Sequence, residues 1–393
     1  MTPLTISHYT LTNALGCGRE ASYEALAAGN SGLRPCDLDN VDLSTWIGRV
    51  PGLEDISLDG LSTEFDCRNN RLAQLGLLQD DFLGAITKAI AHYGADRIGL
   101  FMGTSTSGIA ATEDAYRQRN NECLPTDYNP KSTHNIASSS FFVRQYLGLN
   151  GPSITISTAC SSSAKVFAAA NRYISAGVCD AAIVGGVDSL CLTTLYGFNA
   201  LELVSSEPCR PWGAQRKGIN IGEAAGFALL EKPTEAQSGP MLLGYGESSD
   251  AYHMSTPHPE GDGALYAMQQ ALQRAGLKAE DIDYINLHGT ATRSNDASED
   301  SAVCRLFGNQ TPCSSTKGFT GHTLGAAGIT EAIFTLLCLE KGLLPQSLKT
   351  EQKDEALEAN ILLNRAEAPL RYVLSNSFGF GGNNCSLIFG ASS

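Results

Sequence analysis

One cysteine and two histidines, far apart in the chain, carry the residue types of a nucleophilic active site. Cys160 lies where an apolar, β-prone run that begins at residue 153 breaks into small residues and then into a helical pattern. A strand ending there would present the thiol at the end of a sheet. The positive end of the following helix is expected to lower the thiol pKa below about 8.5. His288 and His322 would complete a Cys-His-His site in which the cysteine is the nucleophile.

Short apolar runs, typical of strands buried on both faces, alternate with helical patterns along the chain. Predicted strands cover residues 96–103, 153–157, 180–186, 284–287, 372–375 and 385–389, and predicted helices cover residues 162–175 and 326–341. This alternation predicts mixed α/β layers with the catalytic residues at strand ends. No low-complexity segment divides the chain, so we expect its two halves to pack tightly together.

The composition excludes several classes of protein. A net charge of −14 argues against general affinity for nucleic acid, which requires a basic surface. No apolar run reaches the roughly 18 residues of a membrane span. Residues 1–20 lack the pattern of a secretory signal, so we expect a cytoplasmic protein.

The cysteines point to a reducing compartment and to no metal site. The 12 cysteines are dispersed without paired spacing, which argues against both disulfides and zinc. Eleven of them read as small buried hydrophobic side chains. We expect neither a metal nor another cofactor.

Several motifs, in order along most of the chain, carry a more specific signal. They lie at residues 158–162, 210–212, 222–226, 248–254, 288–292 with Asp296, 317–328 and 376–382. In these motifs the chain resembles the β-ketoacyl-acyl-carrier-protein synthases, the type I/II condensing enzymes of the thiolase superfamily. The resemblance implies a thiolase-like, five-layered αβαβα fold of two similar halves, residues 1–240 with Cys160 and residues 241–393 with both histidines. It also implies a homodimer, or a heterodimer with a related subunit.

The resemblance implies decarboxylative Claisen condensation. An acyl group held on the cysteine would react with malonyl-acyl-carrier protein to give 3-oxoacyl-acyl-carrier protein and CO₂, in fatty acid or in polyene or polyketide elongation. The implied partner is an acyl carrier protein that carries phosphopantetheine thioesters. Acyl chain length, primer, pathway and homo- or heterodimer are left open by the sequence.

The resemblance also implies roles for individual residues. Cys160 would accept the acyl group, and His288 and His322 would donate hydrogen bonds to the enolate. Lys317 and Glu331 would fix charge and orientation around His322. The backbone N–H groups of Cys160 and Phe380 would form the oxyanion hole, and Phe380 would also gate the acyl pocket. Thr290 and Thr292 would hold the pantetheine arm. Arg68 and Arg71 are candidates for docking an acidic carrier protein, because a chain of net charge −14 needs a local basic patch for that.

Two other functions compete with condensation. A thiolase would run the non-decarboxylative reaction on coenzyme A esters, but its second cysteine belongs in the C-terminal Gly-rich loop, where this chain has Phe378, Gly379 and Phe380. A chain-length-factor-like partner subunit would share the fold but lack the nucleophile, whereas this chain retains Cys160. Both alternatives are therefore disfavoured.

Overall fold

Ten strands in two sets of five form the framework that positions the site. The computed structural model describes residues 1–58, 63–121, 123–234 and 239–391. The first set is β1 (Leu4–Asn13), β2 (Ile98–Gly103), β3 (Ser153–Ile156), β4 (Ala181–Asp188) and β5 (Ala224–Glu231), and the second is β6 (Met241–Ser249), β7 (Tyr284–Asn286), β8 (Cys313–Ser314), β9 (Tyr372–Gly379) and β10 (Asn383–Gly390). Shorter strands at Gly16–Cys17, Leu33–Pro35, Trp46–Gly48, Ile221–Gly222, Leu343–Leu344 and Ala366–Glu367 lie outside these sets.

The two sets repeat one topology. Their spatial orders are β3-β2-β4-β5-β1 and β8-β7-β9-β10-β6. In each set the first three strands are parallel and the last two are antiparallel to their neighbours. A short antiparallel pairing of β1 with β6 joins the sets. The prediction of two similar halves is confirmed by this repetition of order and direction, and the division at residue 240 stays a prediction.

Eleven α-helices are present among the described residues. They are α1 (Arg19–Ala28), α2 (Arg68–Leu77), α3 (Phe82–Tyr93), α4 (Ile109–Arg117), α5 (Ser138–Tyr146), α6 (Ser162–Ser175), α7 (Leu192–Ala200), α8 (Asp262–Ala275), α9 (Arg293–Phe307), α10 (Lys317–Thr320) and α11 (Ala327–Lys341).

The helices and sheets form five layers. Each set of strands forms one sheet layer. Helices α6 and α11 lie against each other between the two sheet layers. Gly328 of α11 permits this close approach, because an added Cβ atom there would lie 2.3 Å from the backbone nitrogen of Ala164. Helices α2, α3 and α5 cover the outer face of the first sheet, and α8 and α9 cover that of the second. The predicted αβαβα architecture is confirmed.

Most predicted elements end close to their predicted bounds. The predicted helix at residues 162–175 is α6, and the predicted helix at 326–341 is α11 less one residue. Strand β9 continues to Gly379, four residues beyond the prediction, because its antiparallel pairing with β10 continues as far as Gly379 opposite Asn383. Among the described residues, no helix has both the length and the apolar character needed to cross a membrane.

Candidate active site

A sharp turn between β3 and α6 holds Cys160. Ala159 has a left-handed backbone, with φ of 52°. The Ser162 hydroxyl fixes the turn, because it accepts from the Thr158 backbone N–H at 2.9 Å and donates to the Ala159 carbonyl oxygen at 2.5 Å. The side chain of Cys160 is thereby turned into the interior, and the residue is 6% exposed.

His322 lies beside the thiol. Its Nε2 atom is 2.9 Å from Cys160 Sγ, and its Nδ1 atom accepts from the Leu324 backbone N–H at 3.2 Å. Because Nδ1 uses its lone pair as an acceptor, the proton of the neutral ring is on Nε2. His322 therefore directs an N–H donor at the sulfur.

His288 lies two residues after the end of strand β7 and is held in the same tautomer by a different donor. The Lys317 ammonium lies 3.3 Å from His288 Nδ1 and also donates to the His288 carbonyl oxygen and to the Glu331 carboxylate. An ammonium group can only donate, so His288 too carries its proton on Nε2. The rings of His288 and His322 are 5.3 Å apart between centroids.

Lys317 contacts His288 directly and acts on His322 through its charge. The ammonium lies against His288 Nδ1 and donates to Glu331, and its charge also lowers the pKa of His322. The predicted role of Lys317 and Glu331 in fixing the charge around His322 stays a prediction. The direct contact with His288 arises because Lys317 begins α10 three residues after β8, the parallel neighbour of β7.

Both imidazoles are neutral at physiological pH. Burial lowers the pKa of His288 well below 6.5, and the charge of Lys317 and the nearby His322 lower it further. Burial and the charge of Lys317 also lower the pKa of His322 well below 6.5.

The Cys-His-His cluster has the residue types of a metal site but the opposite tautomers. One ligand-type atom from each of the three residues lies within 4.8 Å of the others. A histidine that binds a metal offers a lone pair to it and usually donates its other N–H to an acceptor. Here both Nδ1 atoms face donors and both Nε2 atoms carry protons. The arrangement therefore suits hydrogen-bond donation to an oxyanion.

Burial controls the state of the thiol. It raises the pKa of Cys160 to about 12, against the opposing effects of the Lys317 charge and of the hydrogen bond from the Phe380 backbone N–H. The prediction of a lowered pKa was wrong, because at this buried thiol the loss of solvation outweighs the effect of the helix end. The resting thiol is therefore protonated at neutral pH.

The Gly-rich loop between β9 and β10 lies against the nucleophile. The Phe380 backbone N–H points at Cys160 Sγ. An added Cβ atom at Gly379 would lie 2.7 Å from the Thr158 carbonyl oxygen and 3.2 Å from the Cys160 backbone nitrogen. The backbone N–H groups predicted to form an oxyanion hole are thus close together, and a side chain at residue 379 would separate them.

Two aromatic rings contact each other beside this loop. The ring of Phe380 lies 5.6 Å from that of Phe198 on α7, measured between centroids. Gly381 and Gly382 follow with φ of 78° and 71°, conformations that other residues rarely adopt. The Gly381 N–H donates to the Met254 carbonyl oxygen at 2.8 Å. Phe198 carried no signal in the sequence, because only the fold brings α7 to the loop.

A cavity of about 580 Å³, partly open to solvent, connects these groups with the surface. Cys160, both histidines and Phe380 line it, together with Thr290 and Thr292. The hydroxyl groups of the two threonines are 2.9 Å apart, and Thr292 also caps helix α9 by accepting from the Asn295 N–H. The threonines predicted to hold a pantetheine arm thus lie on the path to the thiol.

Two buried carboxylates support the site and were missed by sequence reasoning. Glu299 accepts from the backbone N–H groups of His288 and Gly289, both at 2.8 Å, and burial raises its pKa to about 7. Asp188, fully buried at the end of β4, accepts from the backbone of Ser105 and, at 2.6 Å, of Gly325. Asp188 bonds residues 83 and 137 positions away, and Glu299 bonds residues 10 and 11 positions before it. Neither spacing corresponds to a motif recognised in the sequence.

The two arginines predicted to dock a carrier protein are engaged within the chain. Arg68 donates to the buried Glu223 at 2.6 and 2.8 Å and to Glu54 at 2.7 Å, and its side chain is 19% exposed. Arg71 donates to Asp66 at 2.5 and 2.7 Å. Neither lines the cavity. Their docking role stays a prediction, although much of the charge of Arg68 is already neutralised by carboxylates.

The comparison with known proteins matches both halves of this arrangement. The family model for the N-terminal domain of β-ketoacyl synthases matches residues 9–236, and the model for the C-terminal domain matches residues 241–351. The chain belongs to the β-ketoacyl synthase family. This synthase is 32% identical to 3-oxoacyl-[acyl-carrier-protein] synthase 2 of Vibrio cholerae over 94% of each chain. It is also 32% identical to the chloroplastic 3-oxoacyl-[acyl-carrier-protein] synthase II of Arabidopsis thaliana, over 96% of this chain and 73% of that protein.

Solved structures give the same result. The synthase resembles the ketosynthase ApeO, solved in complex with its chain length factor ApeC from Xenorhabdus doucetiae, with a TM-score of 0.89 and 39% identity over 99% of this chain and 98% of that one. It resembles the ishigamide ketosynthase/chain length factor with a TM-score of 0.90 and 26% identity over all of both chains.

Proposed function

We propose that this β-ketoacyl synthase is an acyltransferase that condenses an acyl group on Cys160 with a malonyl thioester by decarboxylative Claisen condensation. The observation that carries the proposal is the pair of neutral imidazoles beside one thiol, each with its proton on Nε2. Two such donors stabilise the negative charge that develops on the thioester oxygen as CO₂ leaves.

The reaction has two halves. First, Cys160 Sγ attacks the carbonyl carbon of an acyl thioester, the carrier's C–S bond breaks, and the thiol proton passes to the departing thiolate. The backbone N–H groups of Cys160 and Phe380 receive the carbonyl oxygen. The raised pKa of Cys160 means that the proton leaves only as the thioester reacts.

In the second half, the bond between the malonyl carboxylate and its α-carbon breaks, and the electron pair forms the enolate. The Nε2–H groups of His288 and His322 donate to the enolate oxygen. The α-carbon attacks the acyl carbonyl carbon, the C–S bond to Cys160 breaks, and the thiolate takes up one proton from solvent. The products are CO₂ and a 3-oxoacyl thioester.

The two alternative functions fit the site less well. A thiolase needs a second cysteine at the reacting centre. Among the described residues that line the cavity, Cys160 is the single cysteine. A chain-length-factor-like subunit would need no nucleophile, whereas here a hydrogen-bonding environment surrounds the thiol.

We propose that the synthase acts on an acyl carrier protein in the cytoplasm as one half of a dimer. The outer edge of β3 pairs with no described strand, and the nearby Phe141 of α5 is 48% exposed. An exposed edge strand beside apolar surface favours pairing with another chain. The partner is a second copy or a related subunit, and the resemblance to a ketosynthase solved with its chain length factor supports the latter.

The relatives come from more than one setting. The chain is 39% identical to the ketosynthase ApeO, which was solved with a chain length factor, and 32 to 37% identical to 3-oxoacyl-[acyl-carrier-protein] synthases. We therefore propose chain elongation in fatty acid or in polyene or polyketide synthesis, without a preference between them.

One assay tests the reaction. Purified protein, alone and co-purified with a candidate partner subunit, is incubated with acyl- and malonyl-acyl-carrier protein, and CO₂ and 3-oxoacyl product are measured. His288→Ala and His322→Ala should each lose condensation, and at least one should still acylate Cys160. Near wild-type condensation by either variant would refute the proposed roles of the imidazoles.

A further inference from the structure

A shallow depression adjoins the reaction cavity and shares part of its wall. Leu203, Thr292 and Ser294 line both. Along the chain, the lining passes from His288 at the reacting centre, through Thr290 and Thr292, to Arg293, which lines the depression only. A molecule that extends from the thiol past the two threonines therefore reaches this depression.

Three cations and one carboxylate line the depression: Arg216, Lys217, Arg293 and Glu202. The side chain of Arg216 is 6% exposed and forms ion pairs with Asp296 and Asp354 behind the wall. These two carboxylates largely neutralise the charge of Arg216, so it adds little positive potential to the depression.

The two outer cations are accessible. The side chain of Lys217 is 56% exposed and pairs with Glu207 at 2.6 Å. Arg293 is exposed, and among the described residues its guanidinium has no hydrogen bond and no carboxylate within ion-pair distance; its charge acts on Asp354 from farther away. On a chain of net charge −14, an unpaired arginine beside a second cation at the rim of the active site is a locally favourable place for an anion.

We propose that Arg293 and Lys217 bind the phosphate of a phosphopantetheine thioester at the rim of the cavity. This inference rests on the proposed function, which requires a thioester substrate on a long arm. The guanidinium group matches a phosphate through two parallel hydrogen bonds, and the N-terminal end of α9, where Arg293 stands, adds positive potential. The arm then spans the wall between the phosphate at Arg293 and the thioester at Cys160, with Thr290 and Thr292 beside its polar middle.

The test compares two substrates that differ only in the phosphate. Acyl-pantetheine and acyl-4′-phosphopantetheine are used to acylate Cys160, and KM is measured for each by intact-protein mass spectrometry. In the wild type we expect KM to be about fivefold lower for the phosphorylated compound, the upper end for an exposed ion pair. The double variant Arg293→Ala/Lys217→Ala should bring the ratio of the two KM values close to one, and added salt should do the same in the wild type.

Arg371→Ala supplies the matched control. Arg371 is an arginine whose side chain is 71% exposed. It precedes β9 at the end opposite Gly379 and lines neither the cavity nor the depression, so this variant should keep the wild-type ratio. A wild-type ratio of one, or an unchanged ratio in the double variant, overturns the proposal. The proposal is also overturned if the double variant changes the KM for acyl-coenzyme A but not the KM for acyl-4′-phosphopantetheine. That result would place the nucleotide phosphates of coenzyme A at the depression. If wild-type Cys160 is acylated by neither compound, the proposed function itself fails.

Discussion

At the scale of single residues, the position of one proton on each imidazole decides the chemistry. The backbone N–H of Leu324 and the ammonium of Lys317 each occupy the Nδ1 side of a histidine, which leaves Nε2–H as the group beside the thiol. Neutral donors of this kind stabilise an enolate without first losing a proton. The thiol, by contrast, is needed only to carry the acyl group.

This division of labour predicts the behaviour of Cys160→Ala. The variant should lose acyl transfer and condensation but retain decarboxylation of malonyl-acyl-carrier protein, because both imidazoles remain. Release of CO₂ and the intact mass of the protein report the two activities separately. An acyl adduct on the alanine variant would show that another residue is the nucleophile.

The raised thiol pKa predicts how Cys160 reacts with iodoacetamide in the absence of substrate. Only the thiolate is alkylated, and the pKa of about 12 keeps its fraction small at neutral pH. The rate of labelling of the peptide that contains Cys160 should therefore rise with pH through pH 10 without a plateau. Free cysteine, whose pKa is about 8.5, is the control and levels off earlier. A plateau for Cys160 below pH 9 would contradict the closed, protonated resting state.

At the scale of elements, the end of strand β4 ties together loops from both halves of the fold. Asp188 accepts from the Thr104 hydroxyl at 2.5 Å and from the backbone N–H groups of Ser105, Thr106 and Gly325. Gly325 follows His322 by three residues. The carboxylate therefore positions the His322 loop against the first half without touching the substrate.

Asp188→Asn should disturb this junction, because the amide NH₂ group would face donors in place of an acceptor. We expect a loss of about 2 kcal/mol in the free energy of unfolding, typical of hydrogen bonds to a buried charge. We also expect a lower kcat for condensation with little change in KM.

Chemical denaturation and steady-state kinetics measure these two effects. Asp180→Asn, one residue before the other end of β4, is the control, because Asp180 forms exposed ion pairs with Arg97 and Lys232. Wild-type kcat in Asp188→Asn would leave the carboxylate with no role in positioning His322.

At the scale of the whole molecule, the repeated five-stranded sheets create a seam between halves and one open edge. The seam holds the active site, since Cys160 comes from the first half and both histidines come from the second. The open edge is strand β3, which leads into the turn that holds Cys160. A partner chain that pairs with β3 would therefore also stabilise this turn.

The exposed edge predicts how the dimer can be weakened. Phe141→Glu should shift the protein, or its complex with a related subunit, from dimer to monomer, because a charge would be buried at the interface. Size-exclusion chromatography with light scattering measures the change. Tyr266→Glu, at a residue 55% exposed on α8, should leave the dimer intact. An unaffected dimer in Phe141→Glu would place the interface elsewhere.

Features of this protein that depend on local pattern could be predicted from its sequence. The small-residue break around Cys160, the histidine motifs and the apolar runs specify the nucleophile, the alternation of strands and helices, and the family. Helix α6 could be bounded from periodicity alone, because its start and end depend on neighbouring residues.

Properties that depend on distance and burial could not be predicted from the sequence and follow from the packed fold. The pKa of Cys160 rises because folding removes water from the thiol. The helix start that follows Cys160 in the sequence gives no information about this burial. Lys317 serves His288 across 29 positions, and Glu299 reaches the backbone after β7. Such contacts follow from packing between layers, and no spacing in the sequence encodes them.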